Sequence, residues 1–140
     1  MDNFNKAKYA YYDACKGINI KENEKIVLEC KTTWCYEFAR DIKDADIKAH
    51  EQVLLEIKTG YFSYEFARGI KGANIKAHEK VILELKDPHH SYAFARDVLG
   101  ANIEEHFKVI FNSGNKYYLN QFIKYVNYKN TKVEEWLFYI

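Results

Sequence analysis

Three histidines recur at one spacing, His50, His78 and His106, and a row of imidazoles raises the question of a metal site. Equivalent positions on stacked helices stand about 8–10 Å apart. Two nitrogens bound to one zinc at about 2.0–2.1 Å must lie within roughly 4 Å of each other, so the row could share an ion only if its side chains converged. On a helical wheel His50 sits inside the apolar stripe of Ile47, Leu54 and Ile57. There a neutral imidazole bonded to a neighbouring cap or carbonyl is the ordinary outcome, with a ligand or pH-sensing role as the alternative. His50-Glu51 and His78-Glu79 begin like a zinc-protease H-E-x-x-H, but the second histidine would fall on Leu54 and Ile82. That motif is absent, and the expectation is neither metal nor cofactor.

A second constellation is Tyr36, Arg40 and Lys43, repeated as Tyr64, Arg68 and Lys71 and, in part, as Tyr92 and Arg96 followed by Leu99. With Trp34, Phe38 and Ile42 marking the core side of a helix, these residues fall close to the opposite side. Tyrosine interleaved with arginine or lysine suits an acidic protein face, or phosphates with exposed bases. The structural alternative is that each arginine lies on the tyrosine of an adjacent unit or pairs with Glu37 or Glu65 three residues earlier.

The cysteines carry no such pattern. An odd count without a C-x-x-C pair argues against disulfides or a zinc knuckle, and the repeat register assigns Cys15 and Cys30 to core positions and Cys35 to a small-residue site shared with Ser63 and Ser91. There is no P-loop, no G-x-G-x-x-G and no G-x-S-x-G, so no catalytic residues are expected.

The elements that must position these side chains follow from an internal repeat. Segments TWCYEFARDIKDADIKAHEQVLLEIK, YFSYEFARGIKGANIKAHEKVILELK and HHSYAFARDVLGANIEEHFKVIFNSG superpose at an offset of 28 residues. A weaker copy precedes them at an offset of 27, pairing Tyr9 with Tyr36 and Asn19 with Asp46, and another follows, with Phe122, Val126, Asn130 and Leu137 at the positions of Phe94, Val98, Asn102 and Val109. The units are approximately 4–30, 31–58, 59–86, 87–114 and 115–140 of a single domain. Each reads as two short helices. Asp87-Pro88 opens a helix whose apolar positions include His90, Phe94 and Val98. Gly17, Gly72 and Gly100 end first helices, and Asn19 and Asn102 begin second helices with an acid three residues on. Ser113-Gly114-Asn115 closes one helix and caps the next, and the apolar run Glu134 to Ile140 is expected to fold back as the last helix.

One such hairpin cannot hide its apolar face, so the expected fold is all-α: a short α-solenoid of five stacked two-helix repeats, about ten helices, with degenerate ends. The balance of 21 basic against 20 acidic residues lowers the expectation for a dedicated nucleic-acid binder. Apolar stretches are too short to span a bilayer and MDNFNKAKY lacks a signal-peptide core, so a cytoplasmic protein is expected.

The run SYEFARGIKGANIKAHEKVILELKD resembles the short α-helical repeats of many bacteriophage, prophage and low-GC bacterial proteins, which carry Tyr-x-Phe-Ala-Arg followed by Gly-Ala-Asn-Ile-x-x-x-Glu. The likeness covers residues 33 to 113 and brings no catalytic residues with it. It implies a small phage or mobile-element protein that inhibits a host defence protein or nucleoprotein, such as a nuclease, in the manner of an anti-CRISPR. The expected function is therefore a non-enzymatic interaction module that docks through Tyr36, Arg40, Lys43, Tyr64, Arg68, Lys71, Tyr92 and Arg96. A nucleic-acid-binding repeat protein using the same rows is the alternative. Leu99 for Lys71 and Phe107 for Glu79 set the third full unit apart.

Overall fold

The computed structural model describes residues 1–128. Those residues form an all-helical chain without strands: α1 (Asn3–Cys15), α2 (Ile20–Cys30), α3 (Trp34–Asp41), α4 (Ile47–Ile57), α5 (Gly60–Gly69), α6 (Ile75–Leu85), α7 (Pro88–Asp97), α8 (Ile103–Asn112) and α9 (Lys116–Tyr128). The segment read as a last helix, with Asn130, Leu137 and the Glu134 to Ile140 run, lies outside the described residues. None of the described helices is long and apolar enough to cross a membrane.

Local chemistry sets the helix ends. Asp46, Asn74 and Asn102 each accept the backbone N–H three residues on, opening α4, α6 and α8, while Asp87 accepts from His89 and His90 at the start of α7. Asn19 does not cap in this way. It takes a left-handed φ of 41° and its side chain makes no cap bond. The helices α3, α5 and α7 end at Ile42, Ile70 and Val98, whose extended backbones return the chain to the core while their N–H groups still bond Phe38, Phe66 and Phe94. The turn that follows needs a left-handed residue, supplied by Gly72 and Gly100 at φ 85° and 86° and by Asp44 at φ 63° in unit 31–58, which has no glycine.

Consecutive helices pair as α1/α2, α3/α4, α5/α6 and α7/α8. Odd helices also contact the next odd helix, and even helices the next even helix. An interior helix such as α3 thus has neighbours on three sides. Phe38, Phe66 and Phe94 are fully buried at equivalent positions, and the small Cys35, Ser63 and Ser91 are buried beside them. Burial pushes the Cys35 thiol up to about 12, so it serves as packing and not as a nucleophile.

Cys15 is exposed, against the core position assigned to it. The first unit carries one more residue between its helices than the 27-residue offset allows. The buried positions of α1 are Ala7, Ala10, Tyr11 and Ala14, each 28 residues before Cys35, Phe38, Ala39 and Ile42. Ala14 therefore takes the place of Ile42, Cys15 that of the exposed Lys43, and Tyr9 is left on the surface.

Candidate functional site

Two rows of polar side chains run along the units, one buried and one exposed. The buried row contains the histidines. His50, His78 and His106 are wholly inaccessible, and each packs on the phenylalanine of its own unit, stacked on Phe38 and Phe66 and tilted against Phe94, with ring centroids 5.0, 5.1 and 5.3 Å apart. Each Nε2 meets a carboxylate of the preceding unit: Glu24 at 2.9 Å, Glu51 at 3.0 Å and Glu79 at 3.0 Å. The same carboxylate oxygen accepts the backbone N–H of the residue that caps the helix, Asp46, Asn74 or Asn102, at 2.8, 2.7 and 2.6 Å. One glutamate thus holds both an imidazole and a helix start of the next unit.

Burial holds all three imidazoles below their ordinary value of 6.5, against the opposing pull of the glutamates. They are neutral near pH 7. The tautomer that fits is the one whose Nε2–H donates to the carboxylate, and Nδ1 has no hydrogen-bond partner among the described residues. Each imidazole is spent on a clamp, so the row is not a shared metal site.

Sequence reasoning missed the glutamates. Read only as negative charge on the second helices, Glu51 and Glu79 give no hint of this role, yet Glu51 is buried and Glu79 is half-buried. The signal was their adjacency to the histidines, joined to what happens at the ends of the row. In the first unit the histidine position is Asn23, and its amide donates to the Ile18 carbonyl of its own unit. In α8 the glutamate position is Phe107, which packs on Phe111 and Phe122. The exchange of Glu79 for Phe107 marks where the clamp stops.

The exposed row contains the arginines. Arg40, Arg68 and Arg96 lie over the rings of Tyr36, Tyr64 and Tyr92 at 5.2, 5.2 and 5.1 Å, so each guanidinium covers the tyrosine four residues earlier in its own unit. Arg40 and Arg96 grip Asp41 and Asp97 through paired bonds of 2.7 to 2.8 Å. Those aspartates also accept the phenols of an earlier unit, Tyr11 on Asp41 at 2.5 Å and Tyr64 on Asp97. The guanidiniums hold both carboxyls below the usual 3.8. In the middle unit this position is Gly69. Arg68 turns back instead to Glu65 at 2.8 Å, and the Tyr36 phenol follows it to the same carboxylate at 3.4 Å.

This geometry corrects the outward tyrosine row. Tyr36 is only 6% exposed, packed on Phe62 and bonded to Glu65, while Tyr64 and Tyr92 are half-buried. A wheel with one buried face cannot anticipate this. The face opposite Phe38 turns toward the next odd helix, and only the strip of Arg40 and Lys43 remains open. Arg68, Lys71 and Arg96 are likewise exposed, and Leu99 is almost fully so. Comparison with known protein families, curated proteins and solved structures found no match.

Proposed function

We propose that the chain is a short α-solenoid of stacked two-helix repeats and acts as a non-enzymatic interaction module, docking sterically on a larger protein or nucleoprotein. The observation that carries this reading is the exposed arginine row, each guanidinium laid over a tyrosine and pinned by a carboxylate. Side chains already fixed lose little rotamer freedom on docking, which is a main cost of association. Tyrosine and arginine also dominate binding energy at interfaces. The contact set is Arg40, Lys43, Arg68, Lys71 and Arg96 with the accessible edges of Tyr64 and Tyr92. Tyr36 supports the set from below.

The same geometry disfavours the nucleic-acid alternative. Phosphate binding through this row would need guanidiniums free of carboxylates, and base stacking would need open ring faces. Arginine–carboxylate pairs suit a protein face of mixed charge. The resemblance to phage and prophage repeat proteins supplies the partner class, a host defence protein or nucleoprotein whose working surface is blocked in the manner of an anti-CRISPR.

The test is an affinity pull-down from host lysate with and without nuclease, using the native chain and an Arg40→Glu/Arg68→Glu/Arg96→Glu variant. A protein retained after nuclease and lost with the variant, at unchanged helicity by circular dichroism, supports the proposal. Loss of all bound material after nuclease would favour nucleic acid, and an unfolded variant would make the row structural.

A further inference from the structure

The corner where α7 begins breaks the repeat. Unit 59–86 starts with Thr59, Gly60, Tyr61 and Phe62, and the next unit replaces them with Asp87, Pro88, His89 and His90. A hydroxyl and two aromatics have become a carboxylate and two imidazoles. Capping requires only one polar oxygen, which Thr59 supplies to Phe62 in α5. Packing requires only aromatic rings, so neither need accounts for the exchange.

We propose that Asp87, His89 and His90 form a binding site for a divalent transition-metal ion of zinc type. One ligand atom from each residue lies within 4.8 Å of the other two. A zinc ion with ligands at about 2.0–2.2 Å sets its donors roughly 3.5 Å apart. The Asp87 Oδ2 to His90 Nδ1 distance, 3.6 Å, already has that value. Closing the longer edges takes about 1 Å of movement, and the exposed His89 is free to supply it.

The donors are prepared for the task. The Oδ1 of Asp87 accepts the backbone N–H groups of His89 at 2.8 Å and His90 at 3.2 Å, which fixes the carboxylate and leaves Oδ2 toward the imidazoles. The His90 Nδ1 is buried with no hydrogen-bond partner among the described residues, a lone pair or proton that an ion or a shorter contact would satisfy. Its ring is seated on Gly60, where a Cβ would approach to 2.8 Å, so that glycine opens the space the imidazole occupies. Two imidazoles and one carboxylate suit zinc, nickel or copper better than calcium or magnesium. Exposure of His89 leaves the remaining coordination positions to solvent. Because His90 rests on α5 and His89 contacts Tyr118 of α9, a bound ion would fasten the start of α7 between its two odd-numbered neighbours.

The test titrates the full chain with Zn²⁺ by calorimetry and with Co²⁺ by visible absorption. The variants come from the repeat itself: His89→Tyr, and Asp87→Thr/His89→Tyr/His90→Phe, which restore the residues of unit 59–86. A Cys15→Ser variant removes the one exposed thiol among the described residues as a competing ligand. The expected result is uptake of one ion, unchanged by Cys15→Ser, weakened at least about tenfold by His89→Tyr and abolished by the triple variant. The absence of saturable uptake would overturn the proposal, as would binding that survives the triple variant. If the triple variant does not fold, undiminished binding by a folded His89→Tyr protein overturns it alone.

Discussion

The histidine row and the arginine row share one period and one chemical idea, a cation-forming side chain against a carboxylate, yet they stand on opposite sides of the solvent boundary. In the buried row each glutamate reaches across units to a helix start and to an imidazole that is sealed from water. In the exposed row each arginine is satisfied within its own unit, about half its side chain stays accessible, and the loss of an aspartate at Gly69 is absorbed by a swing to Glu65. Removing a partner from the first strands buried polar groups, while removing one from the second only rehydrates them. Periodicity in sequence announces both rows equally. Burial decides which one holds the fold and which one is free to be used.

The sharpest way to break that contrast is to delete one partner of a carboxylate contact on each side. Glu51→Ala leaves the His78 Nε2 and the Asn74 N–H without their acceptor and should lower unfolding free energy by about 3 kcal/mol, whereas Arg68→Ala should lower it by less than about 1 kcal/mol. Urea denaturation of the two variants measures both. Equal losses would erase the distinction.

Acid should separate the rows next. With the folded imidazoles held below 6.5, the unfolded chain binds more protons as pH falls past that value. The clamp's contribution is complete above about pH 6.5 and declines as pH drops through the lower folded-state values. Asp41 and Asp97, held below 3.8, lose their contribution only in a still more acidic range. The Tm should therefore begin to fall below about pH 6.5, and replacing His78 with Asn, the residue that stands at position 23, should flatten that early fall. A Tm independent of pH down to about 4.5 would contradict the buried-clamp account.

The smallest effect tests the exposed row's regularity. Gly69→Asp places a carboxylate where Asp41 and Asp97 stand, in open space at a residue whose φ is not positive. It should draw Arg68 from Glu65 and release Glu65 to Tyr36, stabilising the chain by about 0.5 kcal/mol. Thermal denaturation would resolve the gain, and a destabilised variant would mean that the Glu65 arrangement is the preferred one.

Much of the local structure was legible because it is written in near neighbours. Asp46, Asn74, Asn102 and Asp87 cap where their positions before apolar periods imply, and Gly72 and Gly100 turn the chain left-handed as expected. The misreadings involve a second element. Tyr36 is covered by the next odd helix, Glu51 is claimed by the next even one, and Cys15 was displaced by one extra residue in a turn. A wheel describes one helix against a single core, whereas here every interior helix is enclosed by neighbours whose placement depends on the whole array. The Asp87, His89 and His90 corner was read as a cap and an apolar position, since its other use emerges only when three side chains are seen together.

The clamp also has a direction. Each interior unit offers a glutamate at one end and accepts one through an imidazole and a helix start at the other, so it is a head-to-tail connector complementary to its own copy. Connectors of that type propagate without limit unless something stops them, and open heterologous contacts are how subunits become filaments. Asn23 removes the receiving end and Phe107 removes the offering end. The series is thus closed from within the chain: at the position where Glu51 and Glu79 reach forward, Phe107 is sealed under α9 against Phe122, so the last connector is capped by an apolar contact and not left open.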